Sequence, residues 1–193
     1  MSSNDKYNLQ NNSDLETLEN FKILISNIKS LKDKTWGCPW QKIQSHKSLI
    51  PFLNEESSEF IDAIYEKNAV NICEELGDLL LQVMLHAEIG NETKEFELND
   101  IIKNLNKKII NRHPYIFNKK EKVSLEKSQQ IWENIKNLEK EAPDIKSLKD
   151  KTWGCPWQKI QSHKSLIPFL YEESNEFIDA IYEKNANNIC EEL

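Results

Sequence analysis

Apolar residues recur at three- and four-residue steps along most of this chain, which is the period of one face of an α-helix. Leu15, Leu18, Phe21, Ile25 and Ile28 set the first such stripe. TWGCPWQK interrupts it, and its Gly and Pro predict a loop that is unusual in holding two tryptophans. Ser48 is a candidate cap for a second helix running to about residue 67, with Pro51 tolerated in its first turn. After a short break at 68–69, a third helix is expected over 70–88, ending near Gly90. A fourth is expected over 98–111, broken by RHPYIF at Pro114, and a last over 124–139, before Pro143. Strand signals are scarce, so the expected fold class is all-α.

One internal match dominates the organisation. Residues 28–76 recur as residues 145–193 with three differences: Asn54 against Tyr171, Ser58 against Asn175 and Val70 against Asn187. Near-identity over a single partial repeat is unlike a solenoid, whose repeats diverge and recur. The expected organisation is a disordered lead over 1–14, one complete domain over 15–140, and a truncated copy of 28–76 over 145–193. The copy carries Glu173, Glu176 and Glu192 but no counterpart of Gly77 or Asp78. It is therefore expected to form no second active site, and either to stay partly disordered or to compete with residues 28–76 for LLLQVML.

Composition narrows the chemistry. The net charge of -7 argues against broad nucleic-acid binding, which needs clustered Lys and Arg. No apolar run approaches the roughly 18 residues that span a bilayer, and the polar start does not read as a secretory signal. Together with Cys38, Cys73, Cys155 and Cys190, which form no CxxC pair, this makes a cytoplasmic protein with free thiols the expectation. The four glycines, Gly37, Gly77, Gly90 and Gly154, make neither GxxxxGK[ST] nor GxGxxG, and no GxSxG occurs. The residues three before His46, His86 and His113 are Ile43, Val83 and Ile110, so the Glu-x-x-His pairs of di-iron bundles are absent. These histidines are expected to be structural or surface residues.

The carboxylates are more telling. Glu55, Glu56, Glu59 and Asp62 share one face of the second predicted helix, while Leu53, Phe60, Ile61 and Ile64 lie mainly opposite. The third helix carries Glu74, Glu75 and Asp78 directly before an apolar run. Packed antiparallel, the two helices bring the i,i+3 pairs Glu56–Glu59 and Glu75–Asp78 together. Like charges so placed repel, and a hard divalent cation with oxygen ligands resolves that repulsion. Gly77, at a cost of about 1 kcal/mol relative to Ala, is expected to permit close helix approach beside the site. The rival reading is a non-catalytic helical interaction module whose acidic face binds a basic partner.

WGCPWQKIQSH, EESSEFIDAI, EELGDLLLQVMLHA, RHPYIF and WENIK, in this order over about residues 15–139, resemble the MazG-type nucleoside triphosphate pyrophosphohydrolases. These are all-α enzymes related to dimeric dUTPases, and the resemblance implies an antiparallel helical bundle that assembles as a homodimer or higher homo-oligomer. It implies metal ligation by Glu56, Glu59, Glu75 and Asp78, with Mg²⁺ as the cofactor and Mn²⁺ as a substitute. It implies nucleotide contacts from Lys108, Arg112 and Trp132. Lys and Arg do suit phosphate and Trp suits base stacking, although Trp132 could equally be a core residue. The implied reaction is hydrolysis of a nucleoside triphosphate, or of another nucleotide-like substrate, to monophosphate and pyrophosphate in nucleotide-pool house-cleaning. Glu55 would assist the attacking water and Glu56 would take part beside it. Gln41 departs from the family, which commonly has Asp after CPW.

Overall fold

The computed structural model describes residues 12–141, 162–183 and 189. Most of the expected disordered lead, the boundary at Pro143, and Glu192 lie outside the described residues. The helices are α1 (Asn12–Leu31), α2 (Pro39–Lys42), α3 (His46–Glu66), α4 (Ala69–Thr93), α5 (Leu98–Arg112), α6 (Pro114–Phe117), α7 (Leu125–Glu141) and α8 (His163–Glu183). The all-α expectation holds. No helix among the described residues is long and apolar enough to cross a membrane.

Several helix ends fall differently from the sequence pattern. α1 begins at Asn12, inside the lead expected to be disordered. Ser45, not Ser48, caps α3: its hydroxyl accepts the Ser48 N–H, and the Ser48 hydroxyl accepts the Ser45 N–H. Pro51 consequently sits inside α3 rather than in its first turn. The tryptophan loop contains the short α2, opened by Pro39. α4 continues through Gly90 to Thr93, because Gly90 lies where the Phe96 ring packs; a Cβ there would stand 2.5 Å from the ring edge.

α3 and α4 form the centre of the molecule. Lys67, in the left-handed conformation at φ 57°, and the cap Asn68 connect them, so the chain reverses within two residues and the helices run antiparallel. Ile28 of α1 joins Leu49, Met84, Leu85 and Ile89 in one core cluster. Burying side chains of this size contributes roughly 1.5–3 kcal/mol each before the entropy of ordering them is subtracted.

Of the repeated segment, residues 162–183 and 189 are among the described residues. α8, the counterpart of α3, is helical and packs on α3 itself. Its Phe177 also meets the edge of His86 on α4, with ring centroids 4.7 Å apart. A helix with the apolar stripe of α3 buries that stripe on whatever matching face is nearest, and the stripe of α3 supplies one.

Candidate metal and nucleotide site

Glu56 projects from α3, and Glu75 and Asp78 project from α4. Carboxylate oxygens of these three lie within 4.8 Å of one another, and all three side chains are half-buried. The antiparallel hairpin produces this directly, because residues about equally far from the reversal at 67–68 come level. Loss of water around Glu56, then the charges of Asp78, Glu59, Glu55 and Glu75, hold its pKa above the ordinary carboxylate value. Glu75 is also raised, by partial desolvation and then by Glu59, Asp78 and Glu74. Such a cluster is repelled by its own charge and relieved by a cation. Its donors are all hard oxygens, the set that suits Mg²⁺.

Glu59 is exposed and lies outside the close trio, yet its charge acts on both Glu56 and Glu75. Glu55 is exposed beside Glu56. Gly77 corrects the expectation placed on it. A Cβ there would have nothing within 4 Å, so no described helix approaches it closely.

The three residues expected to contact nucleotide lie on α5 and α7. Lys108 is half-buried one turn before the buried Arg112. The Arg112 guanidinium lies over the Trp132 ring, 4.9 Å from its centroid, and His113 meets the same ring at 5.1 Å. Trp132 and Glu172 of α8 line a cleft of about 380 Å³ that also includes His113, Tyr115, Lys136 and Phe169. None of the carboxylate trio lines this cleft. The structure thus groups Glu56, Glu75 and Asp78, and separately groups Arg112 with Trp132.

Lys136 was missed in the sequence, although it follows Trp132 by one helical turn and therefore shares its face. Its ammonium donates to Glu172 at 3.0 Å and to Glu173 at 3.4 Å, the counterparts of Glu55 and Glu56. Burial pulls the Lys136 pKa down, but the Glu172 hydrogen bond and the charges of Glu173 and Glu176 outweigh it and leave it raised.

His86 and His113 are buried and His46 is half-buried. His86 is fully buried and its Nδ1 lies 2.8 Å from Nδ1 of His46, with the two rings parallel. Burial, then the neighbouring His46, pushes the His86 pKa down to about 3. His113 donates from Nδ1 to the Ile109 carbonyl at 2.7 Å. Gln41 is buried in the tryptophan loop, and its Oε1 has no hydrogen-bond partner among the described residues.

A helical bundle with a carboxylate trio across its central hairpin defines a class of small acidic-site proteins. Within that class, this chain belongs to the MazG nucleotide pyrophosphohydrolase domain family, whose model matches residues 44–117 and 161–193, more than half of the chain. It is 44% identical over 175 residues to the nucleoside triphosphate pyrophosphohydrolase/pyrophosphatase MazG of Thermotoga maritima, covering 89% of this chain and 65% of that protein. It is 32% identical over 169 residues to the nucleoside triphosphate pyrophosphohydrolase of Escherichia coli, covering 83% of this chain and 63% of that protein. The chain thus spans less than two-thirds of the length of these curated relatives. The crystal structure of a MazG-related protein from Thermotoga maritima is similar with a TM-score of 0.50 and 30% identity, covering 62% of this chain and 98% of that one.

Proposed function

We propose that this chain is a cytoplasmic enzyme that hydrolyses nucleoside triphosphates to monophosphate and pyrophosphate, with Mg²⁺ as cofactor and Mn²⁺ as a substitute, in nucleotide-pool house-cleaning. The observation that carries the reading is the meeting of Glu56, Glu75 and Asp78 oxygens within 4.8 Å, in a chain of this family. Mg²⁺, when bound, neutralises triphosphate charge and favours ionisation of water. Glu56, Glu75 and Asp78 would hold it, and Glu59 would supply further negative charge and a fourth carboxylate. Glu55 accepts a proton from the water that attacks the α-phosphorus. The bond from that phosphorus to the bridging oxygen breaks, and pyrophosphate leaves. Lys108 and Arg112 are suited to phosphate oxygens and Trp132 to the base, and in the free chain the Arg112 guanidinium occupies the Trp132 face that a base would take. Placement and charge stabilisation carry the rate, since the protein forms no covalent bond to the substrate.

The exposed stripe of Ile102, Leu105 and Ile109 on α5 supports the further reading that the protein forms a homo-oligomer. The purified full chain, assayed against every ribo- and deoxyribonucleoside triphosphate with product identification, tests the function. Monophosphate and pyrophosphate should appear with Mg²⁺ and vanish with chelator. Release of orthophosphate alone, or no turnover of any triphosphate, refutes the proposal.

A further inference from the structure

α3 and α8 do more than touch; they exchange equivalent contacts. Adding 117 to a residue number in the first repeat gives its counterpart in the second. Lys47 lies over the Tyr182 ring at 4.8 Å, and its counterpart Lys164 lies over Tyr65, the counterpart of Tyr182, at 5.1 Å. The apolar contacts obey the same exchange. Ile50 and Leu53 share a core cluster with Phe177, Ile178 and Ile181. Ile167 and Leu170, their counterparts, share another with Phe60, Ile61 and Ile64. Even the more distant members match, since Ile189 belongs to the first cluster and Ile72, its counterpart, to the second.

Contacts in which i meets j′ while i′ meets j define an isologous interface, one surface paired with itself about a two-fold axis. Here both halves lie in one chain. None of the three differences between the repeats falls on the contacts named above, so the face that α8 presents to α3 is the face of α3 itself. We propose that α8 is an intramolecular stand-in for the α3 helix of a second copy of this chain. It closes in cis a self-complementary face that, when vacated, pairs two chains through α3.

The partner is therefore residues 46–66 of another copy, antiparallel and in the register that α8 occupies. The exchange has a consequence at the cleft. α8 sets Glu172 and Glu173 against Lys136. When α3 of a second chain takes that place, Glu55 and Glu56 of that chain meet Lys136 instead. Opening the face thus brings the acidic motif of one chain to the Trp132 side of the other.

The test uses the full chain with Phe177→Asp and Ile181→Asp, which spoil only the copy's side of the interface. Light scattering should give a mass twice that of the parent, and Ile64→Asp added on α3 should abolish the doubling. Lysine cross-linking of mixed ¹⁴N and ¹⁵N protein identifies the contacts. In the parent, Lys67 should link to Lys164 within one isotope. In the α8 variant, Lys47 should link to Lys67 across isotopes, because those residues lie at opposite ends of α3, about 30 Å apart at 1.5 Å per residue. A variant of native helicity with unchanged mass and no mixed-isotope Lys47–Lys67 link overturns the proposal. If the variant loses its helicity, the parent decides. A Lys67–Lys164 link confined to one isotope supports closure in cis, and a mixed-isotope link or none overturns it.

Discussion

Acidification should unfold this protein through His86. The imidazole is fully buried, bonded to His46 and edge-on to Phe177, and its pKa is about 3 against an ordinary 6.5. An unfolded chain binds the proton near pH 6.5, whereas the folded chain does not until about pH 3. Stability from this group is therefore fully present above pH 6.5 and declines as pH falls toward 3. Each pH unit well inside that window removes about 1.4 kcal/mol, so going from pH 6.5, where the unfolded imidazole is half protonated, to 4.5 removes about 2 kcal/mol. That is a large share of the roughly 5–15 kcal/mol that holds a domain of this kind folded. His46 and His113, both also depressed chiefly by burial, act in the same direction. Glu56 and Glu75 act oppositely. Their raised folded pKa values mean that the folded state gains relative to the unfolded as they protonate. The clean quantity is therefore the difference in slope between the parent and His86→Leu. Urea unfolding followed by circular dichroism at pH 6.5, 5.5 and 4.5, with chelator present, measures it. The variant pays a fixed cost for the lost His46 hydrogen bond but should lose the extra slope of about 1.4 kcal/mol per pH unit. Equal slopes in the two proteins would refute the assignment of His86 as the buried neutral base.

Asp78→Asn keeps the side-chain shape and removes one charge from the trio, so turnover should fall at least about a hundredfold. In chelator the variant should be no less stable than the parent, as read by thermal melting. Parental rates at saturating Mg²⁺ would exclude Asp78 from the site. Gly77→Ala should stabilise the protein by about 1 kcal/mol, since a Cβ there meets only open space; a lower urea midpoint would contradict this. Gly90→Ala should instead destabilise by about 1–3 kcal/mol, because its Cβ collides with the Phe96 ring; the same titration reads both. Trp132→Ala should raise KM about tenfold with kcat within a few-fold, the signature of lost base stacking. An equal loss in kcat and kcat/KM with KM unchanged would mean that the ring does not bind the ground-state nucleotide.

What the sequence by itself determined was what depends on neighbours within a turn or two. Helix type follows from apolar steps of three and four, and the i,i+3 carboxylate pairs follow from the same period. The short break at 68–69 allows a reversal, and the sequence says only that antiparallel packing would bring Glu56, Glu59, Glu75 and Asp78 together; the packing itself, and the place of Glu59 outside the close trio, were decided by tertiary structure. Helix ends were less so. Ser45 and Ser48 are the same residue type three positions apart, and only the bonds they exchange settle which of them caps α3. Gly90 resembles a helix stop in sequence, yet it lies inside the last turn of α4, where it makes room for a ring six residues on. The pairing of faces was decided only by tertiary structure. Nothing local says that His86 will bond His46 forty residues away, that Gly77 will face open space, or that Lys136 will meet the acidic motif of the repeat. The repeat shows the limit most plainly. Its sequence announced a second copy of α3, but a stripe of apolar residues specifies that burial must occur and not against what. That the stripe fits itself is a property of surface shape in three dimensions, and it appears only when the two copies are docked.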